Sequence, residues 1–171
     1  MTPPKYLAAS WRLVLLFLLP ASAWAQFQLF DPDPNWQEQE VPAPPSFDPN
    51  RLVRVEMPSF MALSYGVDPS TLSIGKDGVV RYVMVASNAS GAFNAMYEGI
   101  RCATAEVKTY ARSSSNGQWR MNESGDWRSL GTAPYAMALA RQGACEGLAT
   151  ATSVATLLRS LRGVPNDQQR H

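Results

Sequence analysis

Two apolar runs of β-type residues, joined by a short turn-forming segment, constrain the fold of this chain more than any other feature. The runs are Val79–Ala86 and Ala92–Cys102, and residues 87–91 between them are Ser, Asn, Ala, Ser and Gly. This composition predicts two antiparallel strands of a β-hairpin. Because charged groups inside such strands need partners, we expect those of the hairpin to be paired or to bind a ligand. They are Arg81, Glu98 and Arg101.

The register of the hairpin decides which charged side chains meet. If Asn88–Gly91 forms the turn, Arg81 lies directly opposite Glu98 and the two form a cross-strand ion pair. We interpret this pair as a self-neutralising structural contact. The alternative is a binding groove lined by Arg81, Glu98 and Arg101, since guanidinium groups suit carboxylate or phosphate ligands. A shift of one residue would turn Glu98 to the other face of the sheet.

The rest of the sequence extends the hairpin into an α+β fold. Across residues 61–121, short runs rich in β-branched and aromatic residues alternate with turn clusters, as in an antiparallel meander. After Trp127 the apolar spacing lengthens towards 3.6 residues and predicts helices. The first is expected to be capped by Thr132 and to end at Gly143, and the second covers about 152–162. We therefore predict an antiparallel β-sheet meander followed by two C-terminal helices.

The N-terminus has the order of a cleaved secretory signal. A basic segment precedes the apolar run Leu13–Leu19, and Ala-Trp-Ala ending at Ala25 matches the small-residue cleavage pattern. We expect cleavage between Ala25 and Gln26. The run is far shorter than the roughly 20 residues that span a bilayer, so we expect no transmembrane segment in the mature chain. A periplasmic location follows, with secretion as the lesser alternative.

Charge and histidine content exclude several classes of function. Of 15 basic residues, Lys5 and Arg12 lie in the predicted signal, which leaves 13 against 14 acidic residues and a net charge of −1. The basic residues are scattered, whereas nucleic-acid binding needs a clustered excess, so we expect no nucleic-acid partner. The single histidine, His171, ends the chain, which argues against histidine-dependent catalysis and metal sites. We predict no catalytic residues, no metal and no cofactor.

The two cysteines, Cys102 and Cys145, predict one disulfide. Their separation is too large for a C-x-x-C arrangement, and an exported chain favours oxidation. Closing a loop of roughly 43 residues is expected to stabilise the fold by about 4 kcal/mol in the chain-entropy model.

Residues 26–58 form a proline-rich arm. The segment holds seven of the 13 prolines, which rules out a regular helix or a central strand. It also holds the aromatic residues Phe27, Phe30, Trp36 and Phe47, so we interpret it as an extended arm docked on the main body. The alternative is a flexible tether. The predicted organisation is a signal peptide (1–25), the arm (26–58), an α+β domain (59–165) and a flexible tail (166–171).

The carboxylates of the chain are compatible with one class of enzyme, a glycan hydrolase. Two carboxyl groups about 5 to 9 Å apart act as acid and base in glycosidases. Trp119 and Trp127 flank an acidic loop and suggest an aromatic platform, although packing in the core or at a sheet edge is the simpler interpretation. The carboxylate candidates are Asp77, Glu98, Glu106, Glu123 and Asp126.

Several stretches resemble the CNP-like family (cryptic neisserial protein), uncharacterised exported proteins of Gram-negative bacteria. The likeness extends from about Trp36 to Leu161, and its most specific string is Tyr-Glu-Gly-Ile-Arg-Cys at 97–102. It implies a location in the Gram-negative envelope, and it assigns no activity and no functional residues to the chain. The stretches that carry it are Leu72–Tyr82, Ser90–Asn94, Tyr97–Cys102, Lys108–Ala111, Trp119 and Trp127.

The sequence thus predicts a non-enzymatic binding or structural module for a partner in the cell envelope, either a protein or a cell-wall component. The alternative is a carboxylate-dependent hydrolase acting on cell-wall glycan. No feature of the sequence indicates an oligomeric state.

Overall fold

A computed structural model of the chain describes residues 33–114 and 117–163. The predicted signal peptide and its cleavage site, Phe27, Phe30 and the tail 166–171 lie outside the described residues.

The described residues follow the predicted order of a sheet and then helices. The helices are α1 (Pro134–Leu139) and α2 (Val154–Leu161), and a π-helical turn, Ala140–Ala144, continues α1. The strands are β1 (Val53–Val55), β2 (Ser64–Val67), β3 (Ser73–Ile74), β4 (Val79–Ser87), β5 (Phe93–Arg101), β6 (Glu106–Ser114), β7 (Trp119–Met121), β8 (Arg128–Ser129), β9 (Cys145–Glu146) and β10 (Ala149–Thr150).

The first eight strands form one antiparallel sheet. Its main order is β1-β2-β4-β5-β6-β7, with β3 beside β4 and β8 beside β6. Strands β9 and β10 form a separate small hairpin. The predicted α+β class, with a meandering antiparallel sheet and two C-terminal helices, is confirmed.

Both faces of the central strands are covered. On one face, Tyr82, Met84 and Ile100 pack with helix residues such as Leu139 and Leu157. On the other face, Val83, Val85, Ala95, Tyr97, Tyr110 and Ala111 pack with residues of the arm, Val41, Phe47 and Leu52. Burial on two faces explains why β4 is apolar along most of its length. A strand with one solvent-exposed face would alternate apolar and polar residues.

The described part of the arm is docked, as predicted from its aromatic residues. The Trp36 ring meets Trp127 edge-on at a centroid distance of 5.8 Å. Phe47 makes edge contacts with Phe93 and Trp119 at 6.1 and 5.8 Å. The arm also supplies β1, which pairs with β2 at the edge of the sheet, where a proline-rich segment can be accommodated.

The predicted disulfide is confirmed and joins the end of the sheet to the helical segment. Cys102 follows β5, Cys145 starts β9, and their Cα atoms are 5.7 Å apart. Among the described residues, no helix is both long enough and apolar enough to cross a membrane.

The helix boundaries differ from the prediction in one respect. Thr132 does not cap α1: Ala133 takes the cap position without a side-chain bond, and the Thr132 hydroxyl donates to the Ser129 carbonyl within the preceding 3-10 turn. Gly143, the predicted end of the first helix, departs from helical geometry with a φ of 141°, one residue before the helical segment ends at Ala144. A Cβ at Gly143 would lie 2.8 Å from the Ser160 Cβ, so this glycine also permits the close approach of α2.

Candidate functional site: a groove with three arginines

The predicted register of the β4–β5 hairpin is wrong by one residue. Arg81 lies opposite Gly99, and Glu98 lies opposite Tyr82. The reason is the turn, which contains one more residue than expected because Asn88 organises it: its Oδ1 accepts hydrogen bonds from the Ser90 and Ala92 backbone amides at 3.0 and 3.1 Å. Successive side chains alternate faces, so Arg81 and Glu98 lie on opposite faces and do not form the predicted pair.

Arg81 lies on the face covered by the arm, where only 4% of its side chain is exposed. Its guanidinium donates two hydrogen bonds to Asp77, at 2.6 and 3.2 Å. Glu38 of the arm lies 3.8 Å from Arg81 Nη2 and accepts bonds from Lys108 Nζ at 2.9 Å and the Tyr110 hydroxyl at 2.6 Å. The position of the Tyr110 hydroxyl requires glycine at residue 99, because a Cβ there would collide with it.

Arg101 also helps to attach the arm to the sheet. Its guanidinium carbon lies 3.7 Å from the Trp36 ring centroid, a cation–π contact, and the Trp36 indole nitrogen donates to the Asp77 carbonyl at 2.8 Å. We refer to Trp36, Glu38, Asp77, Arg81, Arg101, Lys108 and Tyr110 as the arm latch. Arg81 and Arg101 therefore hold the arm on the sheet.

Glu98 lies on the helix-covered face and is completely buried. Its Oε1 accepts hydrogen bonds from the Thr109 hydroxyl at 2.7 Å and the Tyr135 hydroxyl at 3.0 Å, and its Oε2 accepts one from the Tyr82 hydroxyl at 3.2 Å. Arg128 Nη2 lies 3.6 Å from Oε1. A buried carboxylate is tolerated because these partners satisfy both oxygens and the charge.

The two tyrosines in this cluster remain protonated donors at neutral pH. Burial raises the pKa of Tyr135 to about 12, and the negative charge of Glu98 acts in the same direction. Burial also raises the pKa of Tyr82 well above its ordinary value, and the negative charge of Glu98 makes a smaller contribution in the same direction. Arg128 Nη2 also donates to the Tyr135 hydroxyl at 3.2 Å. Glu98 and its hydrogen-bonded tyrosines therefore position the Arg128 side chain.

A groove of about 620 Å³ opens beside the Glu98 cluster, and three arginines line it. Arg112 on β6 lies directly opposite Arg120 on β7. Both are exposed, and neither forms an ion pair within the part of the chain that the structure describes. Like charges placed directly opposite each other destabilise a sheet, so this pair is unfavourable without a further partner.

A tyrosine stack borders the same groove. Tyr65 of β2 and Tyr135 of α1 lie nearly parallel, at an interplanar angle of 6° and a centroid distance of 5.2 Å. Both line the groove, together with the apolar side chains Leu63, Ala86 and Met96. We call the whole the arginine groove; it combines positive charge with an aromatic and apolar wall.

The arginines of the groove were not among the residues singled out in the sequence. Arg112 and Arg120 both lie within the predicted meander of residues 61–121, but no register was predicted for their strands. Arg128 gave no such signal, because the pairing of the short strand β8 with β6, which brings Arg128 to the groove, was not predicted.

The carboxylates proposed for hydrolysis do not gather in this groove. Asp77 belongs to the arm latch, Glu98 lies behind Tyr135 with both oxygens engaged, and the groove lining includes no Asp or Glu. Within the described ranges, no three His, Cys, Asp or Glu side chains are placed to hold a metal. Trp119 and Trp127 pack against the arm through Phe47 and Trp36, which confirms the packing interpretation over the platform.

The fold and the groove define an α+β domain whose sheet is covered by helices on one face and by its own N-terminal arm on the other. A model of the CNP1-like family matches residues 31–162. The chain therefore belongs to the CNP1-like family, and the match includes most of the arm. No curated protein and no solved structure matches the chain.

Proposed function

We propose that this protein is a non-enzymatic binding module of the Gram-negative cell envelope and that the arginine groove is its binding surface. The observation that carries the proposal is the unmatched pair of Arg112 and Arg120, which lie directly opposite each other without an acidic neighbour in the groove lining. An anionic ligand would convert this unfavourable pair into charge-assisted hydrogen bonds.

The dimensions and rigidity of the groove support binding. Its volume of about 620 Å³ falls within the range of roughly 300 to 1,000 Å³ of small-molecule sites. Arg128 is already held by Glu98 and Tyr135, so less conformational freedom is lost when a ligand engages it. The hydrolase alternative would need two carboxylates facing one cleft, and the groove lining contains none.

The proposed periplasmic location is supported by the signal-like N-terminus and by the disulfide. Disulfides such as Cys102–Cys145 persist in oxidising compartments, which include the periplasm. N-terminal sequencing of the processed chain and fractionation of cells test this part of the proposal, with Gln26 as the expected first residue. A chain that retains residues 1–25 in the cytoplasm would contradict it.

Site-specific photo-crosslinking of the full-length chain in cells tests the binding surface. The crosslinker replaces Asn94, an exposed residue that lines the groove, and the control replaces Ser73, an exposed residue on β3. We expect a crosslinked envelope protein or cell-wall component from position 94 only, and its loss in the Arg112→Gln/Arg120→Gln variant. Equal crosslinking from both positions would overturn the proposal.

A further inference from the structure

We propose that the ligand of the arginine groove carries a phosphoryl dianion, the terminal group of a phosphate monoester, and that Arg112 and Arg120 bind it together. The inference rests on the proposed function, because it specifies the chemistry of the ligand at the same groove.

Charge matching favours a group with two negative charges. Of the three guanidinium groups in the groove, the charge of Arg128 is matched by Glu98 at 3.6 Å. Arg112 and Arg120 leave two positive charges, and no Asp or Glu lines the groove to offset them. A phosphate monoester carries about −1.5 to −2 at neutral pH, whereas a carboxylate or a phosphodiester carries −1.

The geometry favours one ligand group shared by both arginines. Directly opposed residues on neighbouring antiparallel strands have Cβ atoms about 4.5 to 5.5 Å apart and side chains on the same face. Arg112 and Arg120 have this relation, and both line the groove. One carboxylate offers two oxygens and is filled by a single guanidinium fork, whereas the three terminal oxygens of a phosphoryl group can accept from two forks at once.

The wall of the groove indicates that the phosphate is attached to an organic body. The Tyr65–Tyr135 stack and Leu63 line the groove together with the arginines. Inorganic phosphate would leave this aromatic and apolar surface uncovered, whereas the body of an ester would bury it. The ester can be a soluble sugar phosphate or the phosphomonoester headgroup of a lipid, since both present the same group.

Calorimetric titration of the purified mature chain with phenyl phosphate tests the inference, with benzoate as the probe of equal ring size and lower charge. We expect phenyl phosphate to bind at least about tenfold more tightly than benzoate. Arg112→Gln and Arg120→Gln should each weaken phenyl phosphate binding about tenfold, the effect of losing one charge-assisted contact of roughly 1.4 kcal/mol. Arg159→Gln, an exposed arginine of α2, is the matched control and should bind as the unmodified chain does.

The pH dependence of binding tests whether the second negative charge of the phosphate monoester contributes to affinity. A phosphate monoester loses it below a pH of about 6, so the affinity for phenyl phosphate should fall between pH 7 and pH 5 while that for benzoate stays level. Equal affinity for the two probes, an affinity for phenyl phosphate that does not change with pH, or unchanged binding by both arginine variants would overturn the inference. If the crosslink from position 94 persists in those cases, the groove is still the binding surface and only the phosphoryl assignment fails.

Vesicles distinguish the two sources of the ester. Phosphatidic acid presents a phosphomonoester, and phosphatidylglycerol presents a phosphodiester on a similar lipid. Co-sedimentation with phosphatidic acid vesicles alone would assign the ligand to a lipid headgroup, and binding of soluble esters without either vesicle would assign it to a soluble sugar phosphate. Equal binding to both vesicles would contradict the requirement for a dianion.

Discussion

At the scale of single residues, Arg81 shows how a buried charge is tolerated when it joins distant parts of the chain. It is held by Asp77 from the preceding turn and lies near Glu38 from the arm. Removing one partner of a buried ion pair leaves the other charge uncompensated, which costs about 3 to 5 kcal/mol. The stability of the fold should therefore depend on Arg81 through Asp77 and not through Glu98.

Double-mutant cycles in urea unfolding test this dependence. Arg81→Ala should destabilise the chain by about 3 to 5 kcal/mol, and combining it with Asp77→Asn should cost clearly less than the sum of the two single changes. Combining Arg81→Ala with Glu98→Gln is the control. These two side chains lie on opposite faces and share no partner, so their effects should add to within about 0.5 kcal/mol. Strong coupling between Arg81 and Glu98 would contradict the observed register.

At the scale of elements, the arm is attached by hydrogen bonds to two buried carboxylates. Asp77 Oδ2 accepts from the Gln39 amide at 3.0 Å, and Asp68 Oδ2 accepts from the Asp48 amide at 2.7 Å. Burial acts to raise the pKa of each carboxyl group, but hydrogen bonds outweigh it and both pKa values are lowered. The strongest opposing contributions come from Arg81 for Asp77 and from the Asp48 amide for Asp68.

The attachment of the arm should therefore weaken in acid. Because folding lowers these pKa values, their contribution to stability is fully present above the unfolded value of about 3.9 and is lost as the pH falls through the lower folded values. NMR of the Trp36 indole and of the Gln39 and Asp48 amides should show constant shifts from pH 7 to about 5 and changes below about 4. In Asp77→Asn, the Gln39 amide should lose this transition while the Asp48 amide keeps it. A transition near pH 6 would exclude both carboxylates as its cause.

At the scale of the whole molecule, the disulfide and the arginine groove occupy different ends of the central strands. Cys102 follows the last residue of β5, whereas Asn94 and Met96, which line the groove, lie near its start. The bridge therefore stabilises the fold without forming part of the groove.

Replacing both cysteines with serine should lower the free energy of unfolding by about 4 kcal/mol, because the unfolded chain gains the entropy of an open loop of 43 residues. Under native conditions the variant should still bind phenyl phosphate with unchanged affinity. Urea unfolding with and without reductant measures the first effect in the unmodified chain. Stability that is insensitive to reduction would contradict it.

The features of this molecule that depend on local chemistry were predictable from its sequence. The turn-forming residues between the runs Val79–Ala86 and Ala92–Cys102 indicated two strands, which are β4 and β5. Trp36 and Phe47 indicated a docked arm, because a disordered segment would contain few aromatic residues. The α1 cap was not predictable in this way, because the Thr132 hydroxyl donates to the Ser129 carbonyl within a 3-10 turn and does not cap the helix.

The partners of the charged residues depended on tertiary structure. By itself, the sequence determined the α+β class, the cysteine pairing and the presence of Arg81, Glu98 and Arg101 in one hairpin. Only the folded chain decided that Arg81 and Arg101 hold the arm while Glu98 positions Arg128 beside the groove. The physical reason is the two-residue period of a β-strand, since one additional residue in the Asn88 turn reverses which side chains share a face.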